Sequence, residues 1–90
     1  MIKDTKFSIY SERYVHLSGK VSEGCLCLDS YVYGDDYDSE AHYLFSKEET
    51  EKLFQMISLD EFIELGRQSN LLGMLEYLNQ HGIVYTTCCI

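Results

Sequence analysis

The sequence contains no proline and few basic residues. It has seven lysine and arginine residues, compared with fifteen aspartate and glutamate residues. The resulting formal net charge of −8 gives the molecule a field that repels phosphate and attracts basic surfaces. We therefore expect no direct binding of nucleic acid. Without proline, internal repeats or a low-complexity tract, nothing marks an internal boundary, and residues 1–90 are predicted to form a single domain.

Long apolar runs are also absent. No stretch reaches the roughly 18 apolar residues that cross a membrane, and the first ten residues lack the apolar run and the cleavage site of a secretory signal. We expect a cytoplasmic protein that does not enter a membrane. The composition, 46% apolar and 24% charged, is that of a folded chain, although a chain of ninety residues buries only a modest core.

Alternating apolar and polar residues predict antiparallel strands in the first half of the chain. The segments are short and rich in β-branched and aromatic residues, and they span residues 6–10, 14–21, 25–33 and 41–45. In the third segment, Leu26 and Leu28 face one side, whereas Cys25, Cys27 and Asp29 face the other. Residues 83–90 have the same character, so we expect them to return to the sheet as a last strand.

Capping patterns predict the helices. Ser46 with Glu49, and Ser58 with Glu61, form the pattern in which the serine accepts a backbone N–H bond and the glutamate reaches back to the cap residue. A third helix is expected to begin at Asn70. We therefore predict an α+β fold in the order β-β-β-β-α-α-α-β, with an antiparallel sheet of four to five strands and about three helices packed on one face.

The sequence carries no catalytic or cofactor signature. The HExxH motif, the nucleophile elbow and the glycine-rich phosphate loop are all absent. The acidic run that begins at Asp36 has the start of a calcium loop, but Ala41 stands where the turn needs glycine and Lys47 where a bidentate glutamate is required. We therefore expect a protein that is not an enzyme and holds no cofactor.

The residues best suited to binding a metal are the four cysteines, Cys25, Cys27, Cys88 and Cys89. Zinc needs ligands that converge tetrahedrally, whereas adjacent residues in a regular strand point to opposite faces, so Cys88 and Cys89 cannot both reach one site. In a reducing compartment we expect buried, reduced thiols and no metal site. The three histidines are each isolated in the sequence: His16, His42 and His81.

The acidic residues are concentrated. Seven of the fifteen lie between residues 35 and 51, where tyrosines are interspersed and Lys47 is the one basic residue. The helix dipole accounts for the carboxylates at the helix starts, but not for those that crowd the preceding loop and the start of the next strand. Acid combined with tyrosine is typical of a surface that binds a basic protein. The predicted partner-binding residues are Tyr33, Asp35, Asp36, Tyr37, Asp38 and Glu40, with Asp60, Glu61 and Glu64 on the second helix.

The short length, the acidic composition and the tyrosine-rich acidic loop resemble the small immunity proteins of bacterial polymorphic toxin systems, including those of contact-dependent growth inhibition. The run EAHYLFSKEETEKLF is similar to the aromatic strand and capped helix of small bacterial proteins. The resemblance implies a tight complex with a cognate toxin, often a cationic nuclease domain, whose active site is plugged or whose nucleic-acid surface is covered. Immunity proteins share no universal motif, so the binding residues above come from charge and tyrosine placement.

Two other functions fit the same features. A phage-type inhibitor that mimics nucleic acid would need the same acidic surface. A small regulatory or adaptor subunit would dock through a sheet edge or a helix face, and its binding would depend little on salt because the acid would serve only solubility. All three functions remain open on the sequence alone.

Overall fold

The computed structural model describes residues 3–34 and 38–89. One antiparallel sheet holds five strands in sequence order: β1 (Thr5–Ser11), β2 (Val15–Ser22), β3 (Cys25–Tyr33), β4 (Asp38–Leu44) and β5 (Thr86–Cys89). Within the described residues, two helices lie between β4 and β5: α1 (Lys47–Met56) and α2 (Leu59–Gln80). The α+β class and the antiparallel sheet follow the sequence-based prediction.

The alternation of side chains along the strands gives the sheet two different faces. We call the side that packs against the helices the covered face and the other side the open face. Leu26 and Leu28 lie on the covered face as predicted, with 1% and 0% exposure, whereas Cys25 on the open face is exposed. The buried core consists of Ile9, Leu17, Val21, Leu26, Leu28, Phe45, Leu53, Phe62, Met74, Leu78 and Ile83.

A buried polar contact joins α1 to the sheet. The pairing of β3 with β4 stops at Cys27 and Leu44, and the backbone N–H of Leu26 lies just beyond it. The hydroxyl of Thr50 accepts a hydrogen bond from that N–H at 2.9 Å and donates to the carbonyl of Ser46 at 2.8 Å. Thr50 is fully buried, so this side chain extends the ladder where a strand partner is no longer available.

The prediction of three helices is wrong. The predicted second and third helices form the single element α2, which continues through Gly66 and kinks at Asn70, where φ is 63° and ψ is −174°. Gly66 is buried, and a Cβ atom there would lie 2.6 Å from side-chain atoms of both Ile9 and Met74. The glycine therefore permits close packing of α2 on β1. It does not end the helix, and the two roles look the same in the sequence.

Two strand boundaries also differ from the prediction. Strand β4 begins at Asp38, so Asp38 and Glu40 are strand residues in register with β3, and the predicted loop ends earlier than expected. Strand β5 begins at Thr86, whereas the segment before it places Ile83 in the core without strand pairing. Residue type alone does not show where pairing starts, because a buried apolar residue serves a strand and an extended segment equally well.

The two capping patterns have different outcomes. The Ser58 pattern is confirmed, with the hydroxyl accepting from the Glu61 N–H at 3.1 Å and the Glu61 carboxylate accepting from the Ser58 N–H at 3.3 Å. Ser46 caps α1 by accepting from the Glu49 N–H at 3.2 Å, but the Glu49 carboxylate accepts from the Val84 N–H at 3.0 Å and so holds the segment before β5. Neither helix, over the part of the chain described, has the length and apolarity needed to cross a membrane.

Candidate functional site

The open face gathers most of the polar and titratable side chains of the strands. Strand pairing arranges them in four rows across the sheet, which are Tyr33 with Asp38; His16 with Tyr31 and Glu40; Ser18 with Asp29, His42 and Cys88; and Lys20 with Cys27, Leu44 and Thr86. The charges are divided along this face. Lys6 and Lys20 face each other on β1 and β2, whereas the carboxylates lie on β3 and β4.

One end of the open face carries a shallow depression, which we call the tyrosine depression. Its lining residues come from β3 and β4: Tyr31, Tyr33, Asp38, Ser39 and Glu40. Tyr33 is 42% exposed, and its ring meets the ring of His16 edge-on at a centroid distance of 5.6 Å. The depression thus combines an exposed aromatic surface with two carboxylates.

Tyr31 is the more enclosed of the two tyrosines. Its ring lies edge-on to the ring of His42 at a centroid distance of 6.0 Å. Partial burial, together with the charges of Asp29 and Glu40, raises the pKa of the Tyr31 phenol above its usual value. The hydroxyl therefore stays protonated at neutral pH and is hydrogen-bonded to Glu40.

The structure brings together three of the residues predicted to bind a partner. Tyr33, Asp38 and Glu40 all line the tyrosine depression, where Tyr33 is paired directly with Asp38 across the strands. The predicted residues Asp35, Asp36 and Tyr37 lie outside the described residues.

The three predicted residues on the second helix lie elsewhere. Asp60, Glu61 and Glu64 belong to α2, which packs on the covered face, so the sheet separates them from the tyrosine depression. Glu61 closes the cap of its helix, and the Glu64 carboxylate accepts a hydrogen bond from Gln68 Nε2 at 3.0 Å. The predicted residues therefore form two surfaces on opposite sides of the domain.

A second group of polar side chains lies next to the tyrosine depression, and we call it the polar cluster. It consists of Cys27, Asp29, Glu40 and His42. Asp29 Oδ1 accepts from Cys27 Sγ at 3.4 Å and lies 2.5 Å from His42 Nδ1. On the other side of the ring, His42 Nε2 lies 3.0 Å from Glu40 Oε1. The side chains of Asp29 and His42 are only 18% and 20% exposed.

The charges of the polar cluster are set by these contacts. The hydrogen bond to Asp29, and then that to Glu40, raises the pKa of His42 above its usual value, although partial burial opposes this. Burial and the neighbouring Asp29 raise the pKa of the Cys27 thiol to about 11. A carboxylate oxygen lies at each ring nitrogen of His42, an arrangement that favours the protonated ring, while the Cys27 thiol stays protonated at neutral pH. Because Cys27 Sγ donates to a carboxylate, this arrangement does not activate the sulfur as a nucleophile.

Two expectations about these residues are corrected. Among the cysteines whose side chains are described, Cys25 and Cys88 are exposed free thiols and Cys27 is partly exposed, so these three are not buried as expected; the side chain of Cys89 lies outside the described residues. His42 is not isolated, because β3 and β4 pair in a register that sets it opposite Asp29. Alternation along β3 already places Cys27 and Asp29 on one face. The sequence does not reveal the register of the β3–β4 hairpin, in which Tyr33 lies opposite Asp38.

No protein-family model, curated protein or solved structure matches this chain.

Proposed function

We propose that this protein is an immunity-type inhibitor that binds a cationic polypeptide, a cognate nuclease toxin domain, through the tyrosine depression. The observation that carries the proposal is the placement of the exposed Tyr33 beside Asp38 and Glu40 at one end of the open face. The net charge of −8 favours association with a basic partner. The protein is proposed to act in the cytoplasm and to bind no nucleic acid directly.

The side chains of the depression are suited to binding the part of a nuclease that normally binds nucleic acid. A guanidinium can form paired hydrogen bonds with a carboxylate such as Asp38 and can lie over an aromatic ring such as Tyr33. The hydroxyl of Tyr31 is hydrogen-bonded to Glu40 and so helps to position that carboxylate within the depression. Carboxylates would thus take the positions of phosphates, and the tyrosine rings those of bases.

The sheet surface is favoured over the helix surface for a structural reason. Glu61 is engaged in capping its own helix, and Glu64 is bonded to Gln68. The helix dipole accounts for the charges at the start of α2 without any partner. The acidic residues of α2 therefore serve as matched controls for the binding surface.

The test compares wild-type protein with the variants Asp38→Lys and Glu64→Lys, which change the net charge equally on opposite sides of the domain. Tagged proteins are used to capture partners from the native host, and each is co-expressed with the neighbouring gene while growth and nucleic-acid integrity are followed. Truncating a charge that is buried and paired in a complex costs about 2–5 kcal/mol, so Asp38→Lys should weaken binding at least about tenfold and abolish protection. Glu64→Lys should keep both.

Salt and partner identity separate this function from the other two. Association with a cationic toxin should slow as ionic strength rises, whereas binding by an adaptor subunit should change little. Capture of a host DNA-binding or RNA-guided complex would instead favour the phage-type mimic. A neighbouring gene product that is harmless, or toxic yet unaffected by this protein, would contradict the immunity function.

A further inference from the structure

The polar cluster contains an unusual combination of side chains for the exposed side of a sheet. Cys27, Asp29 and His42 come from two adjacent strands, and one atom from each, the sulfur, a carboxylate oxygen and Nδ1, all lie within 4.8 Å of one another. We propose that these three side chains form a binding site for a single transition-metal dication, for which zinc is the best fit. The proposal does not rest on the toxin-binding function, although Glu40 belongs to both the tyrosine depression and the polar cluster.

One of the distances between these atoms already matches a tetrahedral site, and a second can be brought to it by a small side-chain movement. Zinc bonds of about 2.3 Å to sulfur and about 2.0–2.2 Å to nitrogen or oxygen place the ligand atoms roughly 3.4–3.6 Å apart. Cys27 Sγ and Asp29 Oδ1 are already separated by 3.4 Å. His42 Nδ1 and Asp29 Oδ1 are 2.5 Å apart and would have to separate by roughly 0.9 Å, which side-chain rotation can provide.

Glu40 occupies the position of an outer partner to the histidine. It accepts a hydrogen bond from His42 Nε2 at 3.0 Å, on the side of the ring away from Cys27 and Asp29. Metal-binding histidines usually donate their second ring N–H to a carboxylate, which fixes the tautomer and the orientation of the ring. Glu40 therefore leaves Nδ1 as the ligand atom, and Nδ1 is the atom that faces Asp29.

Metal entry requires the ligand atoms to give up their protons. The thiol proton of Cys27, and any proton held between His42 Nδ1 and Asp29, leave to the solvent as the dication binds. Lys20 stands opposite Cys27 on β2, and Glu40 stands beyond the imidazole, so the charges on the two sides of the site offset each other. Binding should therefore release protons to the solvent.

The ligand types select the metal. Thiolate and imidazole favour zinc and its neighbours in the transition series, whereas magnesium and calcium require oxygen ligands. The protein supplies three ligands, which leaves the fourth position to water. Cys25 lies one step along the open face, opposite Ser22, and Cys88 lies beyond His42 on β5, so both thiols provide natural controls.

The earlier expectation of a metal-free protein considered only the four cysteines as a set. The exclusion of a site that holds both Cys88 and Cys89 rests on their adjacency in the sequence. It does not apply to Cys27, because the strand pairing supplies Asp29 and His42 as its companions. The ligand set is thus a mixed one that crosses from β3 to β4.

The test titrates the chelator-treated, reduced protein with zinc chloride and with cobalt chloride. We expect one metal per chain, a cobalt spectrum with a thiolate charge-transfer band and the strong visible bands of tetrahedral coordination, and zinc binding at least about tenfold tighter than magnesium or calcium binding. Cys27→Ser should remove the charge-transfer band and weaken binding more than about 100-fold, since outer partners alone contribute about 10–100-fold. Glu40→Gln should show that smaller loss. Cys25→Ser and Cys88→Ser should bind like the wild type.

Several results would overturn the site. They are a wild-type titration without a break at one metal per chain, an octahedral cobalt spectrum without a thiolate band, or a loss of binding in Cys25→Ser or Cys88→Ser equal to that in Cys27→Ser. Circular dichroism of each metal-free variant shows whether the fold is kept. If Cys27→Ser fails to fold, the cobalt spectrum and the proton release of the wild-type protein decide the question. None of these measurements uses a toxin, so their failure is distinct from a failure of the proposed function.

Discussion

The covered face and the open face of the sheet place different physical requirements on their side chains. On the covered face, Leu26 and Leu28 are removed from water by the helices, and the requirement is apolar volume. On the open face, the same strand presents Cys27, Asp29 and Tyr31. The interactions of these side chains depend on which residues of β4 lie opposite them. The residues of the covered face can therefore be recognised from the hydrophobic alternation along one strand, whereas the contacts on the open face depend on the register between strands.

Substitutions on the two faces of this sheet are therefore expected to affect different properties of the protein. A change on the covered face removes buried area or leaves a cavity, so it should lower the free energy of unfolding. A change on the open face should alter binding while leaving folding nearly intact. Substitutions of the same type on the two faces can break or support this distinction.

The largest effect is expected from a matched pair of leucine substitutions. Leu28→Ala removes a side chain with 0% exposure and should lower the free energy of unfolding by about 2–5 kcal/mol. Leu44→Ala makes the same change on the open face, where the side chain is 46% exposed, and should cost less than about 1 kcal/mol. Urea denaturation followed by circular dichroism measures both. Equal losses would show that the two faces are not distinct in stability.

An intermediate effect is expected at the contact between α1 and β3. Thr50→Val keeps the shape of the side chain but leaves the buried N–H of Leu26 without its acceptor, so it should destabilise the protein by about 1–3 kcal/mol. Thr86→Val, on the exposed strand β5, is the control and should have little effect. The comparison uses urea midpoints and, for Leu26, the rate of amide hydrogen exchange. Unchanged protection of the Leu26 amide in Thr50→Val would contradict the assigned hydrogen bond.

The smallest effect concerns the open face and depends on pH. Hydrogen bonds to Asp29 and Glu40 raise the pKa of His42 above its ordinary 6.5, so the folded state favours the protonated ring. The stability that this gives is fully present below the unfolded pKa of about 6.5 and is lost as pH rises through the higher folded value. The metal-free wild type should therefore be less stable at about pH 8 than at about pH 6, relative to His42→Gln.

This measurement is made with chelator present and below pH 9.0, the ordinary pKa of a cysteine thiol, so that Cys27 does not contribute. Thermal midpoints of the wild type and of His42→Gln are compared over the range. An identical pH dependence in the two proteins would show that the bridge between Asp29 and Glu40 does not stabilise the folded state.

Much of the fold is visible in the sequence because its signals are local. Alternation along a strand assigns Leu26 and Leu28 to the covered face, and a serine three residues before a glutamate marks the start of α2 at Ser58. Gly82, just beyond the end of α2, has a φ of 70°, the left-handed conformation that favours glycine after a helix. Each of these depends on the conformational preference of a few consecutive residues.

Less of the candidate site is visible, because it depends on the register between β3 and β4 and on the layer in which each residue lies. Charge and tyrosine content predicted Tyr33, Asp38 and Glu40 as partner-binding residues, and the structure places all three at one depression. The same reasoning grouped Glu64 with them, although the sheet lies between. A count of charges contains no information about the layer in which each charge lies.

The sequence by itself determined the alternation of the strands, the helix starts and the acidic character of the surface, since these arise from local preference and composition. Only the tertiary structure decided that Gly66 packs against Ile9 inside one kinked helix, and that Asp29 and His42 stand opposite each other. The physical reason is that backbone propensity acts over a few residues, whereas register and close packing are set by all the contacts that the sheet and helices make together.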